Sequence, residues 1–232
     1  MKYITLILCL LTISYAGIAQ EKGKKEKDNK EKKTFADIIT DKAVSTKGLF
    51  NTHEVEGTNY FEISNDLLDK EILVVSRISG FVKNLNFGGA GVKSKPQQVI
   101  RWQKIGNKIA LRSVSYNSVA SFEDPIYASV INNNFEPIIM MFDIETTGEN
   151  SSLIKIDPLF TNDIPMIGAV NENQVKDFGI KGVDSKRSVV TSMKSYPRNV
   201  EVRHILTYKG GGKLPDNQVT GCLLYTSPSP RD

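Results

Sequence analysis

Apolar and polar residues alternate with a period close to two over much of residues 50–208. A strand presents successive side chains to opposite faces, so this pattern predicts half-buried β-structure. In LFNTHEVEGTNYFEIS, Phe50, Thr52 and Glu54 share one side, the chain turns through Glu56-Gly57-Thr58-Asn59, and Tyr60 to Ile63 return as the second arm of a hairpin. Lys70–Ser79 (KEILVVSRIS) reads as one largely apolar strand. QQVIRWQKIGNKIALRSVSY predicts a second hairpin, turning at Ile105-Gly106-Asn107. EPIIMMFDIET and SLIKIDPLF alternate like paired strands, and NVEVRHILTYKGGGK reads as a last strand before a glycine turn.

Helical signals are short. TFADIITDKA predicts a helix with Thr34 as N-cap and Asp37 in the reciprocal capping position. DPIYASVINNN places Pro125 just inside a helix start. DSKRSVVTSMKSYP is a further helix candidate, capped by Asp184. The fold class expected is therefore α+β, mostly antiparallel β-hairpins and sheet with a few short helices.

Composition narrows the class without changing it. The chain has 232 residues, 40% of them hydrophobic and 24% charged, with nine prolines, as an ordinary globular protein does. Residues 1–19 read as a signal peptide: Lys2 precedes an apolar run from Ile4 to about Ala16, with Gly17 and Ala19 spaced for cleavage before Gln20. That run is shorter than the roughly 20 residues a bilayer crossing needs, and Leu8 before Cys9 argues against a lipid-bearing cysteine. The expected location is exported, periplasmic or secreted, with no integral membrane segment after cleavage. Residues 20–33 carry seven lysines and four acids and no apolar side chain, the composition of a charged, disordered tether. Residues 34–221 hold 21 basic and 21 acidic side chains, so nothing resembles a basic face and no nucleic-acid partner is expected. After signal removal Cys222 is the one remaining cysteine, so the exported body must be held by its core. The expected division is a small amino-terminal domain at 34–79 and a larger β-rich accessory domain at 80–221, incomplete at its C-terminus.

Chemistry is sparse. The two histidines, His53 and His204, occupy strands, no HExxH occurs, and packed or solvated strand histidines are the expected reading. FGGAGVKSK (Phe87–Lys95) departs from a phosphate loop because Val92 stands where glycine must precede Lys-Ser. G-x-S-x-G is absent. Asp143, Glu145, Asp157 and Asp163 supply carboxylates whose spacing nominates no catalytic pair. Trp102 with Tyr116, Phe122 and Tyr127 is a candidate groove lining, against a default of core packing. No catalytic, cofactor-binding or metal-ligating residue is assigned.

The tail is anomalous. Residues 222–232, CLLYTSPSPRD, look like one reading frame of a transposon-library sequencing adapter, whose preceding base completes the Gly221 codon. The tail is accordingly set aside, and NVEVRHILTY is expected to be an unfinished hairpin arm, prone to aggregate for want of a partner.

GLFNTHEVEGTNYFEISNDLLDKEILVVSRIS, QQVIRWQKIGNKIALRSVSY, NNNFEPIIMMFDIE, DPLFTNDIP and SYPRNVEVRHILTY together resemble the amino-terminal region of secreted, zinc-dependent met-zincin metalloproteases of Bacteroidota-type bacteria. In that family a short and a longer domain of unknown function precede the catalytic domain, where the histidines of an extended HExxH hold zinc and its glutamate activates water. The resemblance implies a non-catalytic accessory or pro-like region that lacks the HExxH domain and is inactive by itself. It implies no cofactor in this stretch, zinc in the missing catalytic domain, that domain as partner, and peptide as a further partner. A self-standing envelope module that binds peptide or glycan is the alternative, and an enzyme using unpaired carboxylates is a third reading.

Overall fold

A computed structural model describes residues 33–81, 91–210 and 220–226, the backbone alone for Phe81 and for 220–226. The expected signal peptide, residues 20–32 of the tether, most of the glycine-rich loop before Gly91, and 227–232 of the tail lie outside the described residues.

The first element is helix α1 (Phe35–Ile38), shorter than TFADIITDKA predicts but capped as expected: Thr34 Oγ1 accepts from Asp37 N, and Asp37 accepts from Thr34 N. Strands β1 (Val44–Thr46), β2 (Asn51–Val55) and β3 (Thr58–Ser64) follow as antiparallel neighbours. The β2–β3 turn narrows to Glu56-Gly57, both at positive φ, the geometry that two-residue hairpin loops favour. The apolar stretch expected as one strand divides at Val75 into β4 (Glu71–Val74) and β5 (Ser76–Phe81). Strands β6 (Gln98–Ile105) and β7 (Lys108–Val114) form the second predicted hairpin, and helix α2 (Tyr127–Asn133) lies in the excursion that leads to β8 (Ile138–Thr147) and β9 (Ser151–Lys155).

Two local expectations need correction, and one helix was not anticipated. DPLFT is helix α3 (Asp157–Thr161), because Pro158 in its first turn supplies a preset helical φ that a strand cannot use. Glu172–Asp177 is helix α4, begun by a capping box between Asn171 and Gln174. DSKRSVVTSMKSYP is not a helix: Asp184 does cap, but only a 3₁₀ turn at Ser185–Arg187, after which the β-branched VVT run enters β10 (Val189–Tyr196).

Two sheets result, both antiparallel throughout. Eight strands lie in the order β1-β2-β3-β9-β8-β7-β6-β4, and four in the order β10-β11-β12-β5, with β11 at Asn199–Tyr208 and β12 at Thr220–Thr226. β11 pairs with β10 on one side and with β12 on the other, and residues 222–226 of β12 belong to the tail set aside above. The sheets are continuous at β4–β5, where Val75 is buried, and they meet again where Leu49 N donates to Tyr196 O at 2.7 Å and Ser195 Oγ donates to Phe50 O at 2.6 Å. Between them lies the main core, in which Phe50, Phe61, Ile63, Trp102, Phe142 and Phe160 from the first sheet and α3 pack with Val200 and Val202 of β11. A second cluster joins Ile78, Ala169, Ile180, Leu206 and Tyr208. The architecture is mainly antiparallel β with a few short helices, a curled double sheet. The boundary expected at residue 79 runs inside β5, and strands before it pair with β9, β6 and β12 after it. Among the described residues no helix is long and apolar enough to cross a membrane.

Candidate functional site

The register of β6 and β7 decides which side chains can meet outside the core. Trp102 and Leu111 are cross-strand partners and face inward, so the intervening Arg101 and Gln103 face outward beside Arg112 and Ala110. Trp102, 2% exposed, packs against Phe142 with ring centroids 5.8 Å apart, so it is core and leaves the aromatic groove lining expected of it.

Residues 115–137 cross that outward face between β7 and β8 and leave a groove of about 490 Å³, within the range of about 300–1,000 Å³ usual for ligand sites. On one wall Arg101 forks between two carboxylates, Nη2 3.0 Å from Glu71 Oε1 and Nη1 3.1 Å from Glu136 Oε1. The Tyr116 hydroxyl donates to Glu71, and that bond, ahead of burial, holds its phenol above the ordinary range. Arg112 is 9% exposed: Nε donates to Gln103 Oε1 at 2.8 Å, Nη1 to the Glu136 carbonyl at 2.6 Å, and the Phe135 ring covers Cζ at 5.3 Å. No carboxylate among the described residues is within ion-pair distance of Arg112. Val119, Val130 and Ile131 add apolar lining to the same groove. Of the other expected aromatics, Phe122 (82% exposed) meets Tyr127 edge-on at 5.4 Å in the same excursion.

A second polar cluster sits on the outward face of β1–β3. Ser45 and His53 are cross-strand partners, with Ser45 Oγ 2.7 Å from Nδ1, while His53 Nε2 lies 3.3 Å from Glu62 Oε2. Glu62 also accepts from Asn51 Nδ2 at 2.7 Å and from Ser151 Oγ at 2.6 Å. An ionised carboxylate only accepts, so Nε2 carries the proton and Nδ1 receives the Ser45 hydroxyl. Burial holds the His53 imidazole below its ordinary pKa against the pull of Glu62. Burial would raise Glu62, but the hydrogen bonds from Ser151, Asn51 and His53 outweigh it and hold the carboxyl low. Hydroxyl, imidazole and carboxylate occur in the order of a nucleophilic relay. Yet Ser45 lies midway along a three-residue edge strand, Phe35 stands edge-on to the imidazole at 5.9 Å, and the carboxylate is shared among three donors. The cluster satisfies polar groups under α1.

The remaining candidates are dispersed. His204, wholly buried on β11, lies with Nδ1 2.7 Å from the Phe160 carbonyl, and its Nε2 has no partner among the described residues. Asp157 accepts from Asn59 N and Nδ2, and Asp143 pairs with Lys108. No group of three His, Cys, Asp or Glu among the described residues stands close enough to hold a metal, and both histidines spend their donors on other partners, so these residues do not fit a zinc site. The described end of the glycine-rich loop, 91–94, bonds along β5 through Ile78 and Ser76. Arg112 is the residue the sequence reading missed; its signal was a second arginine opposite Arg101 on the outward face of the hairpin.

Residues 91–227 match the family model described as Domain of unknown function (DUF5117), and residues 32–81 match Domain of unknown function (DUF5118). No curated protein and no solved structure matches the chain.

Proposed function

Because the chain belongs to the DUF5117 family, a domain family of unknown function, we propose that it is the non-catalytic, accessory or pro-like amino-terminal part of an exported zinc-dependent metalloprotease of Bacteroidota type. The observation that carries this reading is the order of its parts: a short and then a longer domain of unknown function, as in the met-zincin proteases that the sequence resembles. The exposed apolar side chains of the excursion, Val119, Phe122 and Phe135 among them, support a region that packs on another body. Zinc and its activated water belong to the catalytic domain in this scheme, and no step passes through residues of this chain.

Two experiments test the reading. Sequencing the source DNA through the codons for Val219–Cys222 and beyond should run into an HExxH-encoding segment; a genomic stop directly after Asp232 would overturn it. The purified 232-residue chain should cleave no peptide when zinc is added, and zinc-dependent turnover that follows the chain through purification would refute its non-catalytic role. The groove favours a second reading, a peptide-binding module of the cell envelope.

A further inference from the structure

We propose that the groove beneath residues 115–137 binds the carboxylate-terminated end of an apolar peptide, with the terminal carboxylate on Arg112. Three observations meet there. Arg112 is a nine-tenths buried cation that no carboxylate among the described residues neutralises, whereas neighbouring Arg101 is held by both Glu71 and Glu136. Its guanidinium is fixed before any ligand arrives, because Nε and Nη1 donate to Gln103 and to the Glu136 carbonyl and the Phe135 ring lies across Cζ. Nη2 has no acceptor among the described residues and remains for a ligand anion. A fixed donor loses little freedom on binding, and a bond to an ionised acceptor is stronger than one between neutral groups.

The apolar side of the groove selects what accompanies the anion. Val119 (71% exposed) and Ile131 (49% exposed) line the same groove as Arg112, so a ligand residue carrying an anion and an apolar side chain together would fill both. The final residue of a peptide ending in Leu, Val or Phe has that combination. A terminal carboxylate is preferred over an acidic side chain because Asp or Glu would bring the anion without the apolar group. This site rests on the groove alone and holds whether or not a peptidase domain adjoins the chain.

The test is a fluorescence-anisotropy titration of the full chain with fluorescein-Gly-Ala-Val-Leu ending in a free carboxylate, beside the same peptide ending in a carboxamide. The acid is expected to bind saturably and the amide at least tenfold more weakly. Arg112→Gln should erase the difference between acid and amide. Because Arg112 is buried and its loss can unfold the region, Ile131→Asp provides the independent check. That exposed site tolerates the change, and the new carboxylate should weaken the acid peptide at least tenfold at unaltered melting temperature. Equal affinity for acid and amide, no saturable binding at millimolar peptide, or a folded Ile131→Asp chain that binds as well as the parent would each overturn the proposal.

Discussion

His204 shows what a single buried side chain does to pH dependence. Burial pushes its imidazole down to about 4, although the bond to the Phe160 carbonyl pulls the other way. In the unfolded chain the same group titrates near 6.5. A depressed histidine is neutral when folded, so its contribution is whole above about pH 6.5, declines as pH falls toward about 4, and changes no further below that. The span corresponds to roughly 3 kcal/mol. Urea midpoints at pH 7.5 and 4.5, followed through Trp102, should fall steeply between the two, and His204→Leu should remove most of that fall. A midpoint equally acid-sensitive in the variant would assign the effect elsewhere, His53 first, since burial depresses it in the same direction. For the Glu62 network, Glu62→Ala strands Asn51, His53 and Ser151 without an acceptor and is expected to destabilise by about 1–3 kcal/mol. Ser45→Ala, at an exposed hydroxyl, should change the midpoint by less than about 0.5 kcal/mol. Single residues were the least legible scale in the sequence. Trp102 and Arg101 are adjacent, yet strand parity sends one to the core and the other to the groove, and only the inward face identifies which.

At the scale of elements the sequence reading succeeded where two signals agreed and failed where one stood alone. Both hairpins combine alternation with a glycine at positive φ in the turn, Gly57 and Gly106, and their strands lie close to the expected positions. The cap at Asp184 was read correctly, but a cap fixes where a turn begins and says nothing of how far it continues; Val189-Val190-Thr191 ended it. Helix α4 gave no periodic apolar signal because NENQVKD is almost wholly polar. The seam between the sheets was invisible, since it depends on Gly48 meeting residues nearly 150 positions away. A Cβ there would fall 2.3 Å from the Tyr196 carbonyl oxygen and 2.4 Å from Ser195 Oγ. Gly48→Ala is therefore expected to destabilise by about 1–3 kcal/mol, the usual range for overpacking, with the loss read as a lower urea midpoint. An unchanged midpoint would mean that the seam opens at little cost.

Across the whole molecule, the two family segments are one folding problem. β3 pairs with β9, β4 with β6, and β5 with β12, so each of these strands from residues 33–81 finds a partner from the other segment. Residues 33–81 expressed alone should show no cooperative thermal transition and no amide protection beyond the β2–β3 hairpin, whereas the full chain should lose far-ultraviolet ellipticity and Trp102 emission together. A folded, protected 33–81 peptide would contradict this. The α+β class was legible because period-two patterning survives almost anywhere in a sheet. The interleaving was not, because pairing between strands far apart in sequence leaves no local mark.

The same interleaving sets a schedule for a chain made from one end. Tyr60 pairs with Lys155, about 95 residues downstream, and at about 5–20 residues per second β3 waits roughly 5–19 s for that neighbour. Throughout that interval the β9-facing backbone groups of β3 are open to any passing strand, so the yield of native protein in a cell depends on synthesis rate and chaperone supply, even where equilibrium stability is ample.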